Sequence, residues 1–210
     1  MIPLAECIAE EHEVHAIDLP GFGRSESPAD VLTVPQLADC LIAWMSEMRL
    51  GKCHLVANSL GCEIIAQLAL KAPERVATLT MIGPTIDPHA FALLTQIIRL
   101  MRDAIHEPIR LWMNWNYDFW RAGLRRAIGI TREMFRNHIE DQLPHIAAPT
   151  LVMRGGIDPN VPQSAAVTMT RLLPSGKLLV IEGEPHCVHC TNPVRVWRAI
   201  REHTRQSAPS

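Results

Sequence analysis

Cys53-His54-Leu55-Val56-Ala57-Asn58-Ser59-Leu60-Gly61 is the stretch on which the fold turns. It opens as a β-prone run, passes through one serine, and continues as an apolar helical pattern over Leu60–Lys71 that stops before Pro73. A serine is a poor nucleophile unless it is exposed and close to a base. A tight strand-to-helix turn does the exposing, and small residues two before and two after the serine, here Ala57 and Gly61, relieve the crowding. The helix that follows points its first N–H groups at any negative charge developing on the serine side. The competing reading is an ordinary serine N-cap on a buried helix.

Outward from this turn, strands and helices alternate. Val14–Leu19 reads as a strand closed by Pro20-Gly21-Phe22-Gly23, and Pro35–Leu50 as a helix with Leu37, Leu41, Trp44, Met45 and Met48 on one face. Val76–Ile82, Thr150–Arg154 and Lys177–Ile181 are further strands, the last two followed by helical patterns at about 162–173 and 193–203. Several strands are continuous apolar runs, as expected for a mostly parallel sheet covered by helices on both faces, an α/β fold. Between Asp87 and Pro149 the alternation stops. That stretch holds three of the five tryptophans and the only tyrosine and shows no convincing strand. It reads as a helical cap, which divides the chain into a core over 1–86, a cap over 87–149 and the rest of the core over 150–210.

Composition narrows the function. Across 210 residues, 20 basic side chains face 22 acidic ones, a net charge of −2, without the basic excess of a nucleic-acid binder. With 48% apolar residues the chain is globular rather than disordered. The longest apolar stretches fall far short of the roughly 18–20 residues that span a bilayer. The first residues have no basic region ahead of an apolar run, so no signal peptide is expected. Six cysteines then suit a reducing, cytoplasmic setting. Oligomeric state is left open.

A serine nucleophile needs a base, and the base needs an acid that fixes its tautomer. Asp158, in Arg154-Gly155-Gly156-Ile157-Asp158-Pro159, follows one strand, and His186, in Gly183-Glu184-Pro185-His186, follows the next. Sites in open α/β sheets collect beyond the carboxyl ends of strands, where Ser59, Asp158 and His186 all fall. The plainer readings are a turn aspartate before proline and a surface-loop histidine. His186-Cys187-Val188-His189-Cys190 also invites a zinc site or a redox pair, but no second ligand pair stands elsewhere, and a metal would take the base from Ser59.

Asp18-Leu19-Pro20-Gly21-Phe22-Gly23-Arg24-Ser25, Asn58-Ser59-Leu60-Gly61, Gly155-Gly156-Ile157-Asp158-Pro159 and Pro185-His186 followed by Pro193 together resemble the α/β-hydrolase superfamily over nearly the whole chain. The resemblance implies Ser59 as nucleophile, His186 as general base and then acid, Asp158 as orienting carboxylate and the Leu60 N–H as an oxyanion donor. It offers Asp87 as an alternative acid, and leaves His189 as a packing or pocket-edge residue. Serine at position 59 disfavours epoxide and halide chemistry, which uses aspartate there. What is implied is a serine hydrolase working through an acyl-enzyme on an ester, thioester or C–C bond next to a carbonyl, with no metal or organic cofactor. The alternatives are a non-catalytic ligand-binding protein and an inactive truncated fragment on the same scaffold.

The cap would shape the choice of a small-molecule substrate. Asn58, Trp112 and Trp115 are candidate contacts, and the aromatic cluster suits an apolar acyl or aromatic group, although core packing is the commoner role for such a cluster. Arg121, Arg125 and Arg126 read as a solvated face. The family also opens with two or three strands and a His-Gly loop that supplies a second oxyanion donor. Pro3–Glu11 already resembles the helix after that loop, so roughly 50 residues of the pattern are expected upstream. The third strand of that pattern, among those upstream residues, would lie between Val14–Leu19 and Cys53–Ala57, and its loss would split the sheet at its centre. A late start or truncation at this point is expected to leave the chain poorly folded or weakly active.

Overall fold

A computed structural model describes residues 1–84 and 124–207. In chain order the elements are α1 (Ile2–Ala9), α2 (Val34–Glu47), β1 (Cys53–Asn58), α3 (Leu60–Lys71), β2 (Val76–Ile82), α4 (Leu124–Arg136), α5 (Ile139–Gln142), β3 (Thr150–Gly155), α6 (Gln163–Leu172), β4 (Gly176–Ile181), α7 (Val188–Thr191) and α8 (Pro193–Gln206). The four strands form one parallel sheet in the order β1-β2-β3-β4.

Alternation along each strand sends side chains to two apolar layers. Ala57, Leu79, Met81 and Val152 face one layer with Leu37, Leu41 and Met45 of α2, Ile64, Ile65 and Leu68 of α3, and Met169 of α6. Ile82, Leu151, Met153 and Ile181 face the other with Leu4 of α1, Val188 of α7, and Val196 and Ile200 of α8. Helices thus cover both faces, which is why the strands read as nearly unbroken apolar runs. α2 begins at a reciprocal cap: the Gln36 N–H donates to Thr33 Oγ1, and the Thr33 N–H donates to Gln36 Oε1. Among the described residues no helix is long and apolar enough to cross a membrane.

Two expectations are corrected. Val14–Leu19 is not a strand. Its β-prone side chains do find the core, since Ile17 and Leu19 pack against the α2–α3 layer. A strand, however, is defined by its hydrogen-bonded neighbour, and no described segment pairs with this one. Arg126 is not on a solvated face. It is 9% exposed, its Nη2 donates to the Pro28 carbonyl at 2.7 Å, and its guanidinium lies over Gly21 where a Cβ would otherwise stand. That contact fastens α4 to the 18–25 loop, itself closed by the Arg24 N–H on Asp18 Oδ2 and by Ser25 Oγ on the Asp18 carbonyl.

Candidate functional site

The strand register brings four chain ends to one edge of the sheet. Asn58 pairs with Ile82, Ile82 with Met153, and Gly155 with Ile181. Ser59 follows Asn58 directly, Gly83 follows Ile82, and Asp158 and His186 lie in the loops after β3 and β4.

Ser59 occupies the turn between β1 and α3 with φ 52° and ψ −126°. This is a conformation an L-residue adopts only under constraint, at a cost of about 1–3 kcal/mol. The constraint comes from both sides. The Ser59 N–H donates to the Ile82 carbonyl at 3.0 Å, and its own carbonyl accepts from the Cys62 N–H at 2.8 Å in the first turn of α3. A Cβ at Gly61 would lie 3.1 Å from that of Ala57, so the two small residues allow the close crossing of strand and helix. Leu60 is the first residue of α3, where backbone N–H groups have no partner four residues back. Asn58 turns its side chain along the sheet edge and donates Nδ2 to the Ile82 carbonyl at 3.0 Å.

Asp158 and His186 are held by backbone zippering. The Gly156 N–H donates to the Ile181 carbonyl at 2.8 Å and the Ile157 N–H to the Glu184 carbonyl at 3.1 Å. Gly155 is required there, because a Cβ would collide with the Glu184 and Pro185 carbonyl oxygens. Arg154, 5% exposed, wraps the acid loop: Nε donates to the Val161 carbonyl at 2.9 Å, Nη2 to the Asp158 carbonyl at 3.0 Å and Nη1 to Gln163 Oε1 at 2.8 Å. Within that loop Asp158 Oδ1 accepts the N–H groups of Asn160 and Val161 at 2.7 and 3.2 Å. Its other oxygen, Oδ2, stands 2.8 Å from His186 Nδ1, with both residues buried. A carboxylate only accepts, so Nδ1 carries the proton of this bond, and in the neutral imidazole Nε2 keeps a lone pair.

The imidazole lies against Gly83, which has φ 52°. A Cβ there would be 2.7 Å from His186 Cε1 and 3.5 Å from Asn58 Nδ2. Gly83 therefore joins the two halves: it follows the residue whose carbonyl holds Ser59, and its bare Cα seats the ring of His186. Gly83, Arg154 and Glu184 are site supports the sequence reading passed over. A charged residue inside the apolar run of β3 was the one available signal for Arg154.

His189, expected as a packing or pocket-edge residue, is 4% exposed in α7. Burial above all, then the N-terminal ammonium and His186, push its pKa down to about 3. Among the described residues no three His, Cys, Asp or Glu side chains converge as a metal site. Asp87, Trp112 and Trp115 lie outside the described residues, as does much of the expected cap, 87–149.

Comparison with known proteins gives a consistent picture. A family model described as alpha/beta hydrolase fold matches residues 1–104. The chain is 27% identical to pimeloyl-[acyl-carrier protein] methyl ester esterase of Aeromonas hydrophila subsp. hydrophila, over 95% of this chain and 87% of the relative. It is 26% identical to 2-hydroxy-6-oxononadienedioate/2-hydroxy-6-oxononatrienedioate hydrolase of Burkholderia vietnamiensis, over 93% of this chain and 77% of that one. A thermophilic esterase from Thermogutta terrifontis superposes with a TM-score of 0.74 at 23% identity, covering 99% of this chain and 85% of the esterase, which speaks to the fold.

Proposed function

We propose that this chain, which belongs to the α/β-hydrolase superfamily and is a hydrolase of that type, acts through Ser59 on a carbonyl compound, in the first place an ester. Ser59 Oγ gives its proton to His186 Nε2 and attacks the carbonyl carbon. The tetrahedral oxyanion is met by the Leu60 N–H at the start of α3. His186 returns the proton to the leaving group and the acyl-enzyme forms. Water, deprotonated by the same nitrogen, then releases the acid. Asp158 keeps Nδ1 protonated and stabilises the imidazolium. The observation that carries this reading is the buried 2.8 Å bond between His186 Nδ1 and Asp158 Oδ2 at the edge where the Ser59 turn also ends.

Two relatives bear on the bond cleaved. One is named for a methyl ester and the other for a dienedioate or trienedioate, so ester cleavage leads and C–C cleavage next to a carbonyl stands second. We read residues 87–149 as a cap over this edge. Its described end, α4 and α5, is tied down by Arg126 on the Pro28 carbonyl and by Asn137 Nδ2 on the buried Glu63 of α3 at 2.8 Å. Trp112 and Trp115 in that segment would line the path of an apolar acyl or aromatic group. A reducing compartment, the cytoplasm, suits six cysteines that no disulfide joins.

The test is direct. The chain should give burst release from an activated short-chain ester and take a fluorophosphonate label, and Ser59→Ala should lose both. Unchanged turnover in Ser59→Ala would remove Ser59 from its role.

A further inference from the structure

We propose that the Glu63–Asn137 pair sets which acyl groups the enzyme accepts, by fixing α4 as a wall beside the Ser59 turn. The inference rests on the hydrolase reading given above.

Glu63 stands one helical turn after Ser59, about 6 Å along the axis of α3. It is 1% exposed, and a carboxylate taken out of water is costly unless donors meet it. Asn137 Nδ2 is one such donor, at 2.8 Å from Oε2. Asn137 sits at the joint between α4 and α5, and its own N–H donates to the Glu133 carbonyl at 2.9 Å. The amide can face only one way. A carboxylate accepts and never donates, so Nδ2 points at Glu63, and Oδ1 accepts from Gln142 Nε2 at 2.8 Å and from Gln67 Nε2 at 3.4 Å. Glu63 and Gln67 lie four apart on α3 and share a face. One amide thus grips the first two turns of the helix that Ser59 begins.

The two sides of the joint are held by different means. After it, Ile139, Leu143 and Ile146 are buried in the same apolar layer as α3. Before it, α4 is fastened toward its start by Arg126 on the Pro28 carbonyl, with Gly129 close against Val31, and at its end by Asn137. α4 therefore spans from the 28–31 stretch to the nucleophile's helix, and the pair decides where its near end stands. Without the pair, that end swings about the Arg126 contact. A wall that moves off an acyl chain loses the burial of its methylene groups. Each buried methylene is worth about fourfold in binding, so losing two costs about tenfold. An acetyl group has no methylene to lose.

The experiment measures kcat and KM of the full chain and its variants for p-nitrophenyl esters from acetate to octanoate, between about pH 6 and about pH 9, where a carboxyl crowded by another can titrate. The ratio of kcat/KM for a longer ester to that for acetate cancels the titration of His186, which serves both. Asn137→Asp keeps the size of the side chain and sets two carboxylates against each other, which cannot both ionise at that distance. While they share a proton the bond is kept; as pH rises and the proton leaves, the two part. The ratio in Asn137→Asp should therefore fall about tenfold with rising pH, through KM of the longer ester, while kcat for acetate follows wild type. The wild-type ratio should stay flat. The charged and titratable groups around the joint are Glu133 and Arg136 of α4, His138, Glu140 and Asp141 beyond it, and the Cys62 thiol beside Glu63. Wild type carries them all, so a slope confined to Asn137→Asp belongs to the pair. Should that variant fail to fold, Asn137→Ala takes its place, with the ratio down about tenfold at every pH. The inference is overturned if the ratio in the folded variant matches wild type at every pH, if kcat for acetate falls along with it, or if wild type takes nothing longer than acetate. If wild type neither turns over an ester nor takes a fluorophosphonate label, the hydrolase reading itself fails and carries the inference with it.

Discussion

The two halves of the candidate site are held by different means. Ser59 is placed by backbone: a positive φ, one N–H on the Ile82 carbonyl, and two small residues that let β1 and α3 cross. Asp158 and His186 are placed by side chains and loop-to-loop bonds, with a buried arginine at the root of one loop and Glu184 holding the Asn192 side chain at the end of the other. The first arrangement is strained and, apart from the bond to the Ile82 carbonyl, local. The second is assembled from residues up to 38 positions apart, as the Arg154–Asn192 span shows, and is satisfied bond by bond. A strained turn exposes an atom, whereas a satisfied network fixes an orientation and a tautomer. A nucleophile needs the former and a general base the latter.

The largest effect should come from breaking the network at its centre. Asp158→Asn keeps the shape and leaves an oxygen for the Asn160 and Val161 N–H groups, but removes the charge and allows the wrong imidazole tautomer. Turnover of an activated ester should fall by about 10³–10⁴-fold, with the thermal midpoint nearly unmoved. A loss under tenfold would take Asp158 out of the pair and turn attention to Asp87.

A smaller effect should follow from pressing on the seam between the halves. Gly83→Ala puts a methyl group 2.7 Å from His186 Cε1 at a position with φ 52°. The ring must tilt away, and a drop of about 10²-fold in kcat is expected. The left-handed backbone should cost about 1–2 kcal/mol in denaturant unfolding. If stability falls by that amount while kcat holds, Gly83 serves the turn alone and the ring has room to move.

How far the sequence could be read follows the same division. The Ser59 turn is legible because the small residues that permit it, Ala57 and Gly61, lie within two positions of the serine, although the Ile82 carbonyl that holds it does not. β2 to β4 and the helices α2, α3, α6 and α8 are legible because burial on two faces or one leaves a periodic trace. Asp158 and His186 can be picked out by their order after successive strands, but their bond cannot, since pairing is a property of the folded loops. Gly83 and Glu184 leave no trace: a glycine after a strand and a glutamate in a loop have many ordinary uses. Val14–Leu19 misled for a related reason. Propensity reports what a segment suits, and a strand also needs a neighbour. Arg126 misled because its burial depends on Gly21, 105 positions away in the chain.

The smallest effect has the opposite sign from the others. If Ser59 is held in a strained conformation for the sake of its hydroxyl, glycine should relieve the strain that alanine keeps. Ser59→Gly and Ser59→Ala both remove Oγ, so both should be inactive, and the difference between them isolates the backbone. Relief of about 1–3 kcal/mol of strain is set against the roughly 0.5–1 kcal/mol that glycine loses through its freer unfolded chain. Ser59→Gly should therefore be the more stable of the two by about 1 kcal/mol, read as a higher urea midpoint at equal slope. Equal midpoints would mean that the turn holds its residue without strain. The contrast between a strained Ser59 turn and a relaxed Asp158–His186 pair would then reduce to a difference in chain separation.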